Sequence, residues 1–324
     1  MKTSERILNL LEERLGDFFS GEEIAQKLGI SRSAVWKGIQ VLRQNGYSIR
    51  AFTKRGYSLS PETDVLSVMG IRKLLVPELA AIRMTLFDSV GSTNALLRQH
   101  VQPDTSSWTV FLAHEQTAGR AKLGNSFFSP RGTGLYLSLF IRPEHCPLSQ
   151  VIYLSAGAAL AVCRAIESVS GEEAEIKWVN DIYVRGKKVC GILTEGDVRI
   201  EEGGLDYAII GVGINVYKPV EGFPSSLKSD VSFLFDQTRP GGKNRLAAAF
   251  LNSFFHYESI QERNKIVREY RHRNFLIGRK VTLMDGNSPQ RVQILDVDDD
   301  CALRIKASNG SECRLQSESF RIRL

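Results

Sequence analysis

Cysteine is scarce and nowhere paired. The five in this 324-residue chain (Cys146, Cys163, Cys190, Cys301, Cys313) are odd in number, widely spaced and never in a CxxC arrangement. A disulfide scaffold is excluded, and a reduced, cytoplasmic compartment is expected. With neither CxxC nor HxxxH spacing, no dedicated zinc site is expected. No GxGxxG opening a helix and no GxxxxGK[ST] occurs, which removes the Rossmann and Walker phosphate sites. Long apolar runs are missing too. The most apolar stretch, residues 151–163, is rich in Ala, Gly and Ser and falls short of the roughly 20 residues a bilayer span needs. The N-terminus, MKTSERILNLLEERLGD, meets charge too early for a signal peptide, so no membrane partner is expected. The remainder is ordinary: 43% hydrophobic and 24% charged residues supply cores for two or three domains.

Acidic residues are absent from one window. Residues 31–60 hold six basic side chains (Arg32, Lys37, Arg43, Arg50, Lys54, Arg55) and no Asp or Glu, although the whole chain carries only +6. A small domain with such a segment can turn one face toward phosphates. The local pattern supports this. Ile7, Leu8, Leu10, Leu11 and Leu15 predict a first helix over 4–15. Ser20-Gly-Glu-Glu23 reads as a capping box for a short second helix that Gly29 ends. Ser31 then caps a third helix with Val35, Ile39 and Leu42 on its buried stripe. Helix, glycine turn, helix is the helix-turn-helix pattern. Ser31, Arg32, Ser33, Trp36, Lys37 and Gln40 lie along the part that would face a DNA major groove. Two alternating runs around Thr53-Lys-Arg-Gly56 form a wing with Lys54 and Arg55 at its tip. A change of character at Pro61-Glu-Thr-Asp64 marks a linker end.

Farther along, strands are expected at 82–86, 109–114, 135–141, 175–179, 189–194 and 207–214, with long helices from Val151 and over about 245–271. Without regular βαβ alternation, this favours α+β. Four polar clusters fall at strand ends or in loops. Ser92-Thr93-Asn94 fits either a helix cap or a ligand edge. Gln116-Thr-Ala-Gly119-Arg120-Ala121-Lys122-Leu-Gly124-Asn125 fits either an anion cradle or a mobile surface loop. Lys177, flanked by Ile176 and Trp178, needs an anionic partner: Asp181, Glu195, or a ligand carboxylate or phosphate. Gly211-Val-Gly213-Ile-Asn215 marks a bulge or a close approach to backbone. After Gly278, short strands around Asp285-Gly286-Asn287 look like a small barrel.

In this order the pieces resemble the bifunctional biotin–protein ligases that also repress the biotin operon. The resemblance spans essentially the whole chain: Arg55-Gly-Tyr-Ser-Leu59, Asp88…Ser92-Thr93-Asn94, Gln116…Lys122 followed by Phe127-Phe128-Ser129-Pro130, Lys177-Trp178-Val179-Asn180-Asp181, Lys188-Val-Cys-Gly191-Ile-Leu193 and Gly211…Asn215. It implies an α+β multidomain chain. A winged helix-turn-helix would occupy 1–62, a mixed α/β ligase domain of the biotin/lipoate type 63–275, and an SH3-like barrel 276–324. The implied activity is that of a biotin–[acetyl-CoA-carboxylase] ligase. Biotin and ATP give biotinyl-5′-adenylate, and the biotinyl group passes to a lysine of a carrier domain.

The resemblance further implies Lys177, Arg120 and Lys122 as catalytic cations. Ser92, Thr93, Asn94, Gln116, Ala121 and Gly191, with those three, would hold biotin. Arg120, Phe127, Asn180, Asp181 and Asn215 would meet ATP, whose phosphates carry Mg²⁺. Operator DNA and, in the adenylate-bound state, a second copy of the chain are the implied partners. A biotin-sensing repressor without ligase activity and a lipoate–protein ligase are the alternatives. The chain departs from the family pattern at Ala121, Lys122, Asn125, Phe127 and Val179. Alanine at 121 would cost backbone freedom if that position needs positive φ.

Overall fold

The computed structural model describes residues 2–143, 146, 147, 151–199, 204–227, 230–259, 263–285, 288–315 and 321–323. The chain divides into two compact units. One comprises residues 1–74 with 237–248, the other 75–236 with 249–324.

In the first unit, α1 (Thr3–Glu13), α2 (Gly21–Leu28) and α3 (Arg32–Gln44) precede an antiparallel hairpin of β1 (Ile49–Phe52) and β2 (Gly56–Leu59). The helices start where capping places them. The Ser20 hydroxyl accepts from Glu23 N at 3.0 Å, and the Ser31 hydroxyl from Ala34 N at 3.2 Å. Gly29 takes the left-handed conformation that ends α2. Ile7, Leu11, Ile24, Val35, Ile39 and Leu59 close one core, but Leu15, expected on the α1 stripe, lies beyond the helix and is half exposed. The segment after the wing packs within this unit. Its short helix α4 (Val68–Arg72) begins at Ser67, whose backbone N–H donates to Asn244. The Asp64 carboxylate accepts from Lys243 N.

The second unit holds a seven-stranded sheet in the order β3-β4-β5-β9-β8-β7-β6. Its strands are β3 (Arg83–Phe87), β4 (Thr109–Ala113), β5 (Gly134–Ile141), β6 (Glu175–Lys177), β7 (Asp181–Val184), β8 (Lys187–Arg199) and β9 (Gly204–Asn215). Only β3 and β4 pair in parallel, so the sheet is mixed. The short helix α5 (Thr93–Gln99) follows β3. Helix α6 (Val151–Ser170) is longer than the sequence indicated. By length and composition alone it could cross a membrane, but most of that apolar stretch is buried inside the protein. The expected 245–271 helix is found as α7 (Gly242–Ser259) and α8 (Arg263–Arg273), with 260–262 outside the described residues. The expected 175–179 strand stops at Lys177, and β7 returns beside it. The last strands, β10 (Lys280–Asp285), β11 (Ser288–Val297), β12 (Leu303–Ala307), β13 (Glu312–Leu315) and β14 (Arg321–Arg323), form an antiparallel sheet ordered β13-β12-β11-β10-β14. Of the expected Asp285-Gly286-Asn287 turn, residues 286 and 287 lie outside the described set.

Candidate active site

Residues paired across neighbouring strands point to one face of a sheet. Following the pairs through the large sheet gives one lateral row: Phe87, Ala113, Tyr136, Gly213, Gly191, Asp181 and Lys177. Two positions along each strand, a second row on the same face runs Thr85, Phe111, Ser138, Gly211 and Leu193. The sequence thus leaves a gap of three glycines in the middle of a side-chain lattice. Over it lies a cavity of about 720 Å³.

The gap is filled from above. A Cβ on Gly213 would lie 2.5 Å from the Phe127 ring, and one on Gly211 would lie 2.3 Å from Asn94 Oδ1. The glycines are therefore where other groups approach the strand, and the register from Gly211 to Gly213 shows no bulge. Phe127 arrives because its loop folds back: Phe127 N donates to Gly119 O, and Ala121 N to Asn125 O. Ala121 itself sits at φ −130°, an extended backbone that alanine adopts without cost. The left-handed positions are Leu123 and Gly124, and the doubt raised by alanine at 121 is removed.

The polar wall is one connected network. Gln116 Oε1 accepts from Thr93 N at 2.8 Å, and Gln116 Nε2 donates to Ser129 Oγ at 3.0 Å. Ser138 Oγ lies 2.7 Å from Thr93 Oγ1 and 2.5 Å from Asn94 Oδ1. Asn94 Nδ2 donates to Glu195 Oε2 at 2.9 Å. The Ser92 hydroxyl accepts from Ala95 N and caps α5, so the capping role holds beside any ligand role.

The cations converge on the same cavity. Arg120, Lys122, Lys177 and Lys188 all line it. Arg120 pairs with Glu195 at 3.5 Å while staying half exposed. Lys177 stands opposite Asp181 across the β6–β7 hairpin and over the Tyr183 ring at 5.7 Å. Burial pulls the Lys177 ammonium below the usual lysine range. Asp181 and Asp230 oppose this, and the neighbouring Lys188 charge adds to it. Of the two carboxylates expected as its partner, Asp181 instead makes its contact with Lys188, at 2.6 Å, and Glu195 belongs to Asn94 and Arg120. Asn180 Nδ2 donates to Ile192 O, and Asn215 Nδ2 to Ser232 O at 3.0 Å.

Every site residue expected from the sequence in the catalytic half, from Ser92 to Asn215, lines this one cavity. Lys188 was missed as a site residue, and so were Trp178, Tyr183, Phe223, Asp230 and Ile322. Lys188 is three residues from Gly191, which in a regular strand puts it on the opposite face. A bulge in the β7–β8 pairing pairs it with Tyr183 and turns it onto the cavity side. Only the odd spacing of Lys188 and Gly191 in a polar motif hinted at this.

In the first unit, Arg32, Ser33, Trp36 and Lys37 are exposed along α3, with Gln40 partly so. The Ser31 hydroxyl is occupied by its cap and by Ser33. Lys54 stands at positive φ in the wing turn, and the Arg55 guanidinium stacks on Phe18 at 4.4 Å.

A helix-turn-helix unit and, in the other unit, a glycine-floored, cation-rimmed sheet define a ligase of the biotin/lipoate type carrying a DNA-binding module. Residues 86–215 match the Biotin/lipoate A/B protein ligase family, and residues 3–58 match an HTH domain. The bifunctional ligase/repressor BirA of Bacillus subtilis is 37% identical over 222 residues, covering 68% of this chain and 67% of that protein. The Escherichia coli BirA is 32% identical over 201 residues, covering 62% and 60%. The structure of the Aquifex aeolicus biotin protein ligase in complex with biotin and ATP superposes with a TM-score of 0.63 at 23% identity. It covers 74% of this chain and 98% of that one, a likeness of fold. The chain belongs to the bifunctional ligase/repressor family.

Proposed function

We propose that this protein is a biotin–[acetyl-CoA-carboxylase] ligase that also acts as a DNA-binding repressor of biotin genes. The observation that carries the enzyme reading is the convergence of Lys177 and the 116–127 loop on one glycine-floored cavity. A carboxylate is a poor electrophile. Its oxygen attacks the α-phosphorus of ATP, the bond to the β-phosphate oxygen breaks, and pyrophosphate leaves. An amine of the carrier then attacks the carbonyl carbon of this mixed anhydride, loses a proton, and AMP departs. The first step brings two anions together, and the second builds negative charge on the carbonyl oxygen and the departing AMP, so fixed cations lower both barriers.

Lys177 and Lys188 stand between the biotin carboxylate and the α-phosphate, with Arg120 and Lys122 covering the adenylate and excluding water. Ser92, Thr93, Asn94 and Gln116 meet the polar edge of biotin, beside Ala121 and Gly191. Phe127 packs near the base, and Asn180, Asp181 and Asn215 lie toward the nucleotide. Among the described residues no group of three His, Cys, Asp or Glu is arranged to hold a metal. Asp181 and Asp230, the carboxylates that act on Lys177, suit a Mg²⁺ that would arrive on nucleotide phosphates rather than sit in a protein cage. Division into functional parts at 1–62, 63–275 and 276–324, a cytoplasmic location, a biotin carrier domain of acetyl-CoA carboxylase as acceptor, and adenylate-dependent dimerisation on operator DNA complete the reading.

Pyrophosphate release tests it. Purified protein with ATP and biotin is expected to release pyrophosphate, and lipoate in place of biotin is expected to give none. Lys177→Ala is expected to lower the rate by about 10²–10³, the range for removing one charge-stabilising group. Release with lipoate alone would make it a lipoate ligase. Release with neither, alongside biotin binding, would leave a repressor without ligase activity.

A further inference from the structure

Glu195 lies on β8 behind Asn94 and Arg120, which line the cavity, and both of its carboxylate oxygens are engaged. Oε2 accepts from Asn94 Nδ2 at 2.9 Å, and Oε1 faces Arg120 Nη1 at 3.5 Å. Asn94 is 4% exposed and Ser138 0%, so protein groups rather than water decide how their polar atoms point. A carboxylate and the Leu193 carbonyl, 3.3 Å away, can only accept hydrogen bonds. They therefore take both protons of the Asn94 amide and leave its oxygen facing Ser138. The single Ser138 proton must go to Asn94 Oδ1, and its lone pairs then face Thr93 Oγ1. The Thr93 hydroxyl has only acceptors beside it, Ser138 Oγ and Gln116 Oε1, so its proton is spent as well. The protons of Asn94, Ser138 and Thr93 are all consumed, and lone pairs are what these three side chains leave for a ligand.

We propose that Glu195 is a positioning residue: through Asn94 and Ser138 it fixes the wall as an acceptor of hydrogen bonds and so selects a ligand that presents N–H donors. The inference rests on the biotin reading, because the ureido ring of biotin carries two such donors and the dithiolane of lipoate none. The Arg120 pair, at 3.5 Å and half exposed, contributes little, so Arg120 keeps its place when Glu195 is neutralised.

Glu195→Gln keeps the shape but lets the side chain donate, so Asn94 loses its single orientation. The expected result is a split: the KM for biotin rises by about tenfold or more, while kcat, the KM for ATP and the unfolding midpoint stay near the wild-type values. On an Asn94→Ala background, Glu195→Gln is expected to add nothing to the biotin KM. Ser138→Ala cuts the chain one link farther on and is expected to give the same split, which covers the case of a Glu195 variant that does not fold. An unchanged biotin KM in Glu195→Gln or Ser138→Ala, or additive effects with Asn94→Ala, would overturn the proposal. Wild-type protein that releases no pyrophosphate with biotin would remove the underlying reading first, before any variant is compared.

Discussion

Lys177 is asked to be positive in a place where burial makes that costly. Its ammonium is drawn down in the free protein, so the charged fraction falls as pH rises toward the ordinary lysine range. Bound anions favour the charged form and push the titration back up. The alkaline limb of kcat/KM for biotin should therefore sit below the usual lysine pKa, and the limb of kcat should lie at higher pH. Arginine stays charged throughout, so Lys177→Arg should lose the alkaline limb even if its rate is lower. A pH profile with the same limb in both proteins would remove Lys177 from this role. Gly213 gives a steric test of the same site. A methyl group there meets the Phe127 ring at 2.5 Å. Gly213→Ala should weaken nucleotide binding by about 1–3 kcal/mol, the usual cost of overpacking. Phe127→Leu in the same chain should recover part of that loss, read by calorimetric titration of ATP.

At the level of elements, the winged helix was legible because each of its boundaries has a local cause. Ser20, Gly29 and Ser31 act within a few residues of themselves, and the structure places their helices accordingly. The catalytic strands were legible from alternation, and Gly211 and Gly213 marked a close approach without saying to what. What approaches, Asn94 and Phe127, comes from far along the chain, and no local pattern encodes it. The face of Lys188 depends on a bulge, and β7 is too short to show periodicity. The seating of α1 was equally hidden. Glu12 reads as a solvated helix residue, yet it is buried. Its Oε1 accepts from Ser67 Oγ at 2.5 Å, and Lys73 Nζ donates to its backbone carbonyl. Burial raises its pKa, with Ser67 and Lys73 opposing. The folded state therefore holds this proton more tightly than the unfolded chain does. Stability from this group is present below the ordinary carboxylate pKa and is lost as pH climbs through the raised value. Denaturant titrations across mildly acid to neutral pH should show that decline in the wild type and a flatter profile in Glu12→Gln. Equal slopes would mean that Glu12 does not titrate in this window.

For the whole molecule, the two activities meet in one quantity, the affinity for operator DNA. The wing presents Lys54 and Arg55 at its tip, with Arg55 held by the Phe18 ring. Each phosphate contact releases counterions, so affinity falls with salt at a slope of about 0.9 per contact. Replacing both residues by alanine should lower the slope of log affinity against log salt by about 2, with little change in sequence preference. Trp36, 55% exposed on α3, should behave in the opposite way: Trp36→Ala should relax sequence preference and leave the salt slope unchanged. If the adenylate acts as corepressor, its binding and DNA binding share one coupling free energy, typically 1–3 kcal/mol. Biotin with ATP should then tighten operator binding by a measurable factor, and operator DNA must tighten adenylate retention by that same factor. The second measurement is the stricter one. A ligand that merely stabilised the protein against loss during the assay would raise apparent DNA affinity, but operator DNA would not slow the escape of the adenylate. Pulse-chase retention of labelled adenylate, with and without operator, separates the two, and retention indifferent to DNA would end the corepressor reading while leaving the ligase intact.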